Sequence, residues 1–306
     1  MSLVVIGTVA LDSVRTPSGI REEALGGSAI YFSVAASCFT PVKISGVVGE
    51  DFPAGIVTDL AARGIDTAGL VRIPGRTFRW KGEYGQDLNE ARTLETQLNV
   101  LERFDPVLPA GYRESPYLFL ANIDPVLQAK VKAQMSGTTL VAADTMNFWI
   151  EGKRQELNAV LKDIDLLVIN DAEARMLARE PSLPRAARDI RRLGPKAVIV
   201  KRGEYGVALF GEEETFAAPA FPLEDVLDPT GAGDSFAGGM MGFLAAGGGL
   251  AEGRLRQAMI YGSVMASFCV EQFSVERLLT LSRREVDQRF REFEALTRFE
   301  PIGEVR

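Results

Sequence analysis

The sequence predicts an α/β protein with a mainly parallel central sheet flanked by helices. Three observations lead there. Apolar runs of strand length recur along the chain, and from residue 117 onward each is followed by a stretch with helical periodicity. Strand, helix and strand in succession imply parallel pairing through right-handed crossovers. The 306 residues are 46% apolar and 25% charged, the balance of a globular chain long enough to bury a large core.

Leu3 to Gly7 is a short apolar run closed by glycine and reads as a buried strand. Gly26-Gly27 precedes Ser28 to Phe39, which is apolar nearly all round and reads as a buried helix. Val42 to Val48 is the next strand, and Phe52 to Arg63 a helix stopped by Gly64. Residues 68–104 break the rhythm. Thr77 to Tyr84 and Arg92 to Leu101 read as extended pieces around Gly85-Gln86-Asp87, a small antiparallel excursion. Strands then follow at 117–121, 139–143, 166–169 and 197–201, with helices at 125–135, 150–162, 171–179 and 183–193. Residues 206–227 read as short strands with turns, and the tail as helices at 232–246, 250–270, 275–281 and 283–297. The chain reads as one domain over 1–306, with about 8–25 and 68–104 forming a smaller β excursion over one edge.

Composition removes several chemistries. There is no histidine, so His triads, His metal ligands and His proton shuttles are excluded. Two cysteines, Cys38 and Cys269, are too few for a four-cysteine zinc site and read as buried free thiols of a reducing compartment. Acid–base work falls to Asp, Glu, Lys or Tyr. The net charge of −7 argues against general nucleic-acid binding. No run of about 18 apolar residues predicts a membrane span, and the first residues show no basic, apolar leader, so the expected location is cytoplasmic. Gly-x-Gly-x-x-Gly is missing after the first strand, and no Gly-x-x-x-x-Gly-Lys-Ser/Thr occurs, which disfavours dinucleotide oxidoreductase and P-loop readings.

The most informative stretch is Asp228-Pro229-Thr230-Gly231-Ala232-Gly233-Asp234-Ser235 and the small residues after it. Gly231-Ala232-Gly233 leaves the backbone open to a ligand at the start of a helix, where unpaired N–H groups and the helix dipole suit a phosphate. A carboxylate at that same start, Asp234, could take the proton of a hydroxyl attacking a phosphoryl group held by the amides. A bare Gly-x-Gly is a weak signal, and by itself an ordinary helix start with an acidic first turn also accounts for it.

The full string resembles the C-terminal signature of the PfkB (ribokinase-like) carbohydrate and nucleoside kinase family, Asp-(Pro/Thr)-x-Gly-Ala-Gly-Asp, about three quarters along a chain of similar length. Gly7 and Asp12 resemble the family's Gly-x-x-x-x-Asp, and Gly26-Gly27 its di-glycine beside the sugar. Asp144 and Asn147 resemble its Asp-x-Asn segment, Asn170-Asp171-Ala172-Glu173 its Asn-x-x-Glu, and Lys201-Arg202-Gly203-Glu204-Tyr205-Gly206 its nucleotide-side loop. Taken singly, Asp12 fits a loop, Asn170 a helix cap and Gly203 with Gly206 a hairpin turn; their order and spacing carry the resemblance.

The resemblance implies a three-layer fold with a small β lid over the substrate, and an ATP- and Mg²⁺-dependent kinase. It implies Asp234 as base and the amides of Gly231, Ala232 and Gly233 as the anion site. It places the acceptor on Asp12, Gly26, Gly27, Tyr31 and Asn122, and ATP on Lys201, Gly203, Gly206, Thr230 and Gly262. Asn170 and Glu173 would hold Mg²⁺ through water, and Asp228 with Thr230 would lie near a monovalent cation such as K⁺. The lid's strand edges could pair with a second copy, giving a homodimer.

One departure bears on the acceptor. Sugar-specific members carry Asn four residues after the second glycine, and here that residue is Tyr31, followed by Phe32. Phe32 reads as core; Tyr31, and Phe78 and Trp80 in the excursion, could stack on a base or pack the lid. The expected acceptor is a nucleoside phosphorylated on its primary hydroxyl, with a free sugar or sugar acid as the alternative. A non-catalytic nucleotide-binding regulator on the same fold is the more remote reading, which the retained Asp234 disfavours.

Overall fold

A computed structural model describes residues 2–212, 214–250 and 253–299. From β1 (Leu3–Ile6) the chain makes the hairpin β2 (Ala10–Thr16) and β3 (Gly19–Gly26). It returns through α1 (Ser28–Ser37), β4 (Val42–Val48), α2 (Ala54–Ala62) and β5 (Ile65–Arg72). A second hairpin, β6 (Phe78–Tyr84) and β7 (Ala91–Gln97), leads through a 3-10 turn (Asn99–Arg103) and α3 (Ala110–Arg113) to β8 (Tyr117–Leu120). Then come α4 (Pro125–Gln134), β9 (Leu140–Asp144), α5 (Asn147–Gly152), α6 (Arg154–Leu161), β10 (Leu166–Asn170), α7 (Asp171–Ala178), α8 (Leu183–Arg191) and β11 (Ala197–Lys201). After β12 (Val207–Phe210) and β13 (Thr215–Ala218) the chain ends in α9 (Ala232–Ala246), α10 (Arg254–Cys269), α11 (Glu276–Thr280) and α12 (Arg283–Thr297).

The large sheet has nine strands in the order β13-β12-β11-β10-β9-β8-β1-β4-β5, parallel from β5 to β11 and antiparallel at β12 and β13. Its inner strands are buried on both faces, which explains their unbroken apolar runs. The two-residue period divides them between two cores. Leu3, Val5, Tyr117, Phe119, Leu166 and Val168 join one core with α1, α9 and α10. Val4, Ile6, Leu118, Leu120, Leu167 and Ile169 join the other, beneath α6, α7 and α8. Helix α1 reads as apolar all round because it lies between the sheet and α9. A Cβ on Gly238 would strike the Phe32 carbonyl, so glycine lets the two helices approach this closely.

A second sheet of four strands, β3-β2-β6-β7, stands apart from the first. Its middle pair β2–β6 is parallel and its outer pairs antiparallel. Four details differ from the sequence reading. Residues 68–72 lie in β5 of the large sheet, where pairing with β4 buries Ile65 and Gly69. Residues 99–101 are 3-10 turn in place of strand. The helix expected at 150–162 divides at Lys153, whose φ of −134° is non-helical after the poor helix former Gly152. The helix expected at 250–270 starts at Arg254, residues 251 and 252 lying outside those described.

Candidate active site

In the large sheet, strand order reverses at β1. The chain proceeds from β1 to β4 on one side and returns to β8 on the other. A crevice therefore opens beyond the carboxyl ends of the parallel strands, where open α/β sheets bind ligands. A cavity of about 2070 Å³ lies there. It is walled by strand ends and loops of the large sheet, by the start of α9 and by β6 and β7 of the small sheet.

The floor is set by strand register. Asn170 pairs with Lys201 across β10 and β11, and Asp144 with Val168 across β9 and β10. Leu140 and Ala142 on β9, Leu166 and Val168 on β10, and Ala197 and Ile199 on β11 all face the core under α9. With a period of two, Asp144, Asn170 and Lys201 continue that face beyond the apolar core and meet the start of α9. A Cβ on Gly233 would lie 2.7 Å from Lys201 Nζ, so the ammonium rests against the first turn.

Gly231 caps α9 with φ 75°, and a Cβ there would collide with the Tyr31 ring. Both the backbone angle and the close approach call for glycine. The Ala232 N–H turns back to Pro229 O at 3.2 Å, so it is not aimed freely at a ligand. Among the described residues, the Gly231 and Gly233 amides have no acceptor. Asp234 occupies the third helical position and lines the cavity. Burial lifts its carboxyl to about 6, against the pull of the Lys201 charge.

On the other side of the cleft, Asp12 is 6% exposed and accepts a hydrogen bond from Gly27 N–H at 3.2 Å. Gly27 has φ 93° and crosses so close to Thr8 that a side chain would collide with the Thr8 carbonyl. Gly26 lies behind the Asp12 carboxylate. Burial raises Asp12 to about 7, opposed by the Gly27 N–H and reinforced by the charges of Asp228 and Asp234. Tyr31 is 2% exposed and packed on Gly231, so it forms wall and offers no free face for stacking. Phe32 is core, stacked on Phe119 at 4.4 Å. Asn122 accepts from Trp149 Nε1–H at 2.9 Å and directs its NH₂ at Met146 Sδ, a weak acceptor, which leaves donor capacity for a ligand. Phe78 and Trp80 line the cavity from the small sheet, Trp80 held by a bond to Thr93 at 3.1 Å.

Asn170 and Glu173 form a reciprocal cap of α7: the Asn170 side chain accepts from Glu173 N–H at 2.8 Å, and Glu173 Oε2 accepts from Asn170 N–H at 2.9 Å. The cap commits one Glu173 oxygen only. Asp144 is 4% exposed, and its Oδ1 has no partner among the described residues. Burial, with the Asp234 charge adding, raises Asp144 well above the usual carboxylate range while Lys201 opposes, and burial raises Glu173 likewise. Asp144 does not line the cavity, whereas Glu173 does, and its uncommitted hard oxygen fits a hydrated Mg²⁺. Among the described residues no three Asp, Glu or Cys are grouped to ligate a metal directly.

Gly203 to Tyr205 is a 3-10 turn, and its Gly203 and Glu204 line the cavity with Gly206 and Thr230. Gly262 does not reach the cavity; it packs α10 against Phe236. Asp228 is buried outside the cavity, its oxygens accepting from Thr230 N–H at 2.9 Å and Ser274 N–H at 3.2 Å. Two contacts have no signature in the sequence. Tyr84 Oη lies 3.3 Å from Thr230 Oγ1, and Asn89, at the tip of the second hairpin, accepts from Glu204 N–H at 3.2 Å. Both tie the small sheet to residues on the far side of the cavity. Among the described residues no helix is long and apolar enough to cross a membrane.

Comparison with known proteins places this geometry. The profile of the pfkB family carbohydrate kinases matches residues 2–280. A cytidine kinase of Thermococcus kodakarensis is 28% identical over 246 residues, 79% of this chain and 87% of the relative. Among solved structures, the Burkholderia thailandensis nucleoside kinase in complex with inosine superposes with a TM-score of 0.76 at 18% identity, covering 98% of this chain and 100% of that one. An E. coli structure described as a ribokinase II, in complex with ATP and Mg²⁺, gives 0.74 at 20% identity, covering 95% and 99%. The structural likenesses establish the three-layer fold.

Proposed function

The chain belongs to the pfkB family of carbohydrate kinases, phosphotransferases with an alcohol acceptor, and on that premise we propose that it moves the γ-phosphoryl group of ATP onto the primary hydroxyl of a nucleoside. The observation that carries this reading is the meeting of three groups in one cleft: Asp234 at the start of α9, the free Gly231 and Gly233 amides beside it, and Asp12 across from them.

The acceptor ribose lies against Asp12 and Gly27, whose carboxylate and close-packed backbone suit a vicinal diol. Its primary hydroxyl then points to Asp234. The carboxylate takes the hydroxyl proton as the oxygen forms its bond to phosphorus, and the bond from phosphorus to ADP breaks with its electron pair on ADP. The two amides stabilise the charge on the migrating group. Glu173 and Asn170 would hold hydrated Mg²⁺, which supplies charge neutralisation to the triphosphate when bound. The β2-β3-β6-β7 sheet acts as a lid that keeps water from the donor. The base of the nucleoside meets the apolar side of the cleft, where Trp80, Trp149 and Phe148 give more aromatic surface than a free sugar needs. Relatives that act on cytidine or bind inosine support a nucleoside over a sugar.

The test is a screen of the purified protein with ATP and Mg²⁺ against cytidine, inosine, other nucleosides, ribose, fructose and sugar acids, read by ADP release. Nucleosides are expected to lead in kcat/KM. Turnover of a free sugar with none of any nucleoside would replace the acceptor assignment and leave the chemistry in place.

A further inference from the structure

We propose that Lys201 is a catalytic residue, whose ammonium contacts the phosphoryl group in flight at the start of α9, and is not part of the nucleotide-binding loop that follows it. This rests on the kinase reading above. Lys201 is the last residue of β11, and the strand period turns it from the loop toward the phosphate floor. Its Nζ rests beside Gly233, one residue before Asp234. Gly203 and Gly206, by contrast, line the donor side of the cavity beyond the strand end.

Charge singles Lys201 out. The described cavity lining contains two cationic side chains, Lys153 and Lys201. Lys153 is paired with Asp124. Among the described residues the Lys201 ammonium has no hydrogen bond and no ion pair within 4 Å, although Asp144, Glu173 and Asp234 all feel its charge. Three carboxylates and the phosphoryl group in flight would converge here, and two amides alone are a weak counterweight. A lysine is a compact point charge on a long stem, able to follow a group that moves between donor and acceptor.

In the transfer step the acceptor oxygen bonds to the γ-phosphorus, its proton passes to Asp234, and the bond to ADP breaks with the pair left on ADP. Lys201 exchanges no proton; it neutralises equatorial oxygens of the migrating group and favours the ionised form of Asp234. Its contribution is therefore larger in the transition state than in the ATP complex.

Two measurements test this. In K201M, kcat is expected to fall by about 10²–10³-fold, the scale for one lost donor at a developing charge. ATP affinity by calorimetry should change by less than about threefold, the mark of an interaction made only in the transition state. K201R should keep a larger share of kcat than K201M, with circular dichroism checking the fold of both. Second, ADP with aluminium fluoride, a mimic of the planar group, should raise the thermal midpoint of the wild type beyond ADP alone. That increment should vanish in K201M. A K201M enzyme with kcat within threefold of wild type, a loss lying wholly in ATP affinity, or a surviving fluoride increment overturns the assignment. Wild type that shows the increment but phosphorylates no nucleoside refutes the acceptor reading and still decides the role of Lys201.

Discussion

Asp234 and Asp12 sit in one cleft with raised carboxyls, and their different neighbours separate their tasks. Asp234 has Lys201 to favour its ionised form and is charged for the most part at pH 7; Asp12, facing Asp228 and Asp234, is close to half-protonated there. The acceptor kcat/KM should accordingly fall on the acid side in two steps, near about 7 and about 6. D12N should remove the upper step, and a pH–rate profile of both enzymes checks it. D234N should fold and lose about 10²–10⁴ in kcat, the usual worth of a general base. It should also raise the thermal midpoint at pH 8. A carboxyl whose folded value is lifted from 3.8 to about 6 favours folding most below the unfolded value. That advantage is gone once pH has risen through the folded value, so at pH 8 the buried charge is a burden which asparagine removes.

At the scale of elements, helix contacts divide the glycines into those that fill a need and those that do not. G238A should destabilise by about 1–3 kcal/mol, because its methyl meets the backbone of α1, which cannot yield as a side chain would. G55A, in α2 with nothing within 4 Å of the new methyl, should gain up to about 0.5 kcal/mol from helix propensity. Urea denaturation of the two variants measures both. The same elements show what could be read beforehand. The strands of the large sheet were legible because burial on both faces leaves unbroken apolar runs, as in Leu3–Ile6 and Leu166–Ile169. The start of α9 was legible because Gly231 to Asp234 concentrates backbone access and charge in a few residues. β5 was not, since Ile65–Arg72 is half-exposed at the sheet edge and its alternation is weak. The Ala232 amide looked free because nothing in the sequence shows its turn back to Pro229. Asp144 stood out only by resemblance; its unpartnered oxygen is a tertiary fact. The direction of Lys201 was implicit in the two-residue period of Ala197–Lys201, once α9 is known to cover that face.

For the whole molecule, the small sheet is tied to the large one across the cleft through Tyr84–Thr230 and Asn89–Glu204. Backbone amides of β6 and β7 should therefore exchange hydrogen more slowly when both nucleotide and acceptor are bound than with either alone, as mass spectrometry of deuterated peptides can show. N89A should relax that protection and raise acceptor-independent ATP hydrolysis, measured as ADP release without substrate, because a looser cover admits water.

Asn89 has one further consequence. The tip that carries it is bonded to the 203–205 turn, while its own strands line the same cavity. On the proposed reading, one movement of this hairpin would free both products. The cycle time would then follow a mechanical stroke, so thickening the solvent with sucrose should slow steady turnover while sparing the first chemical event.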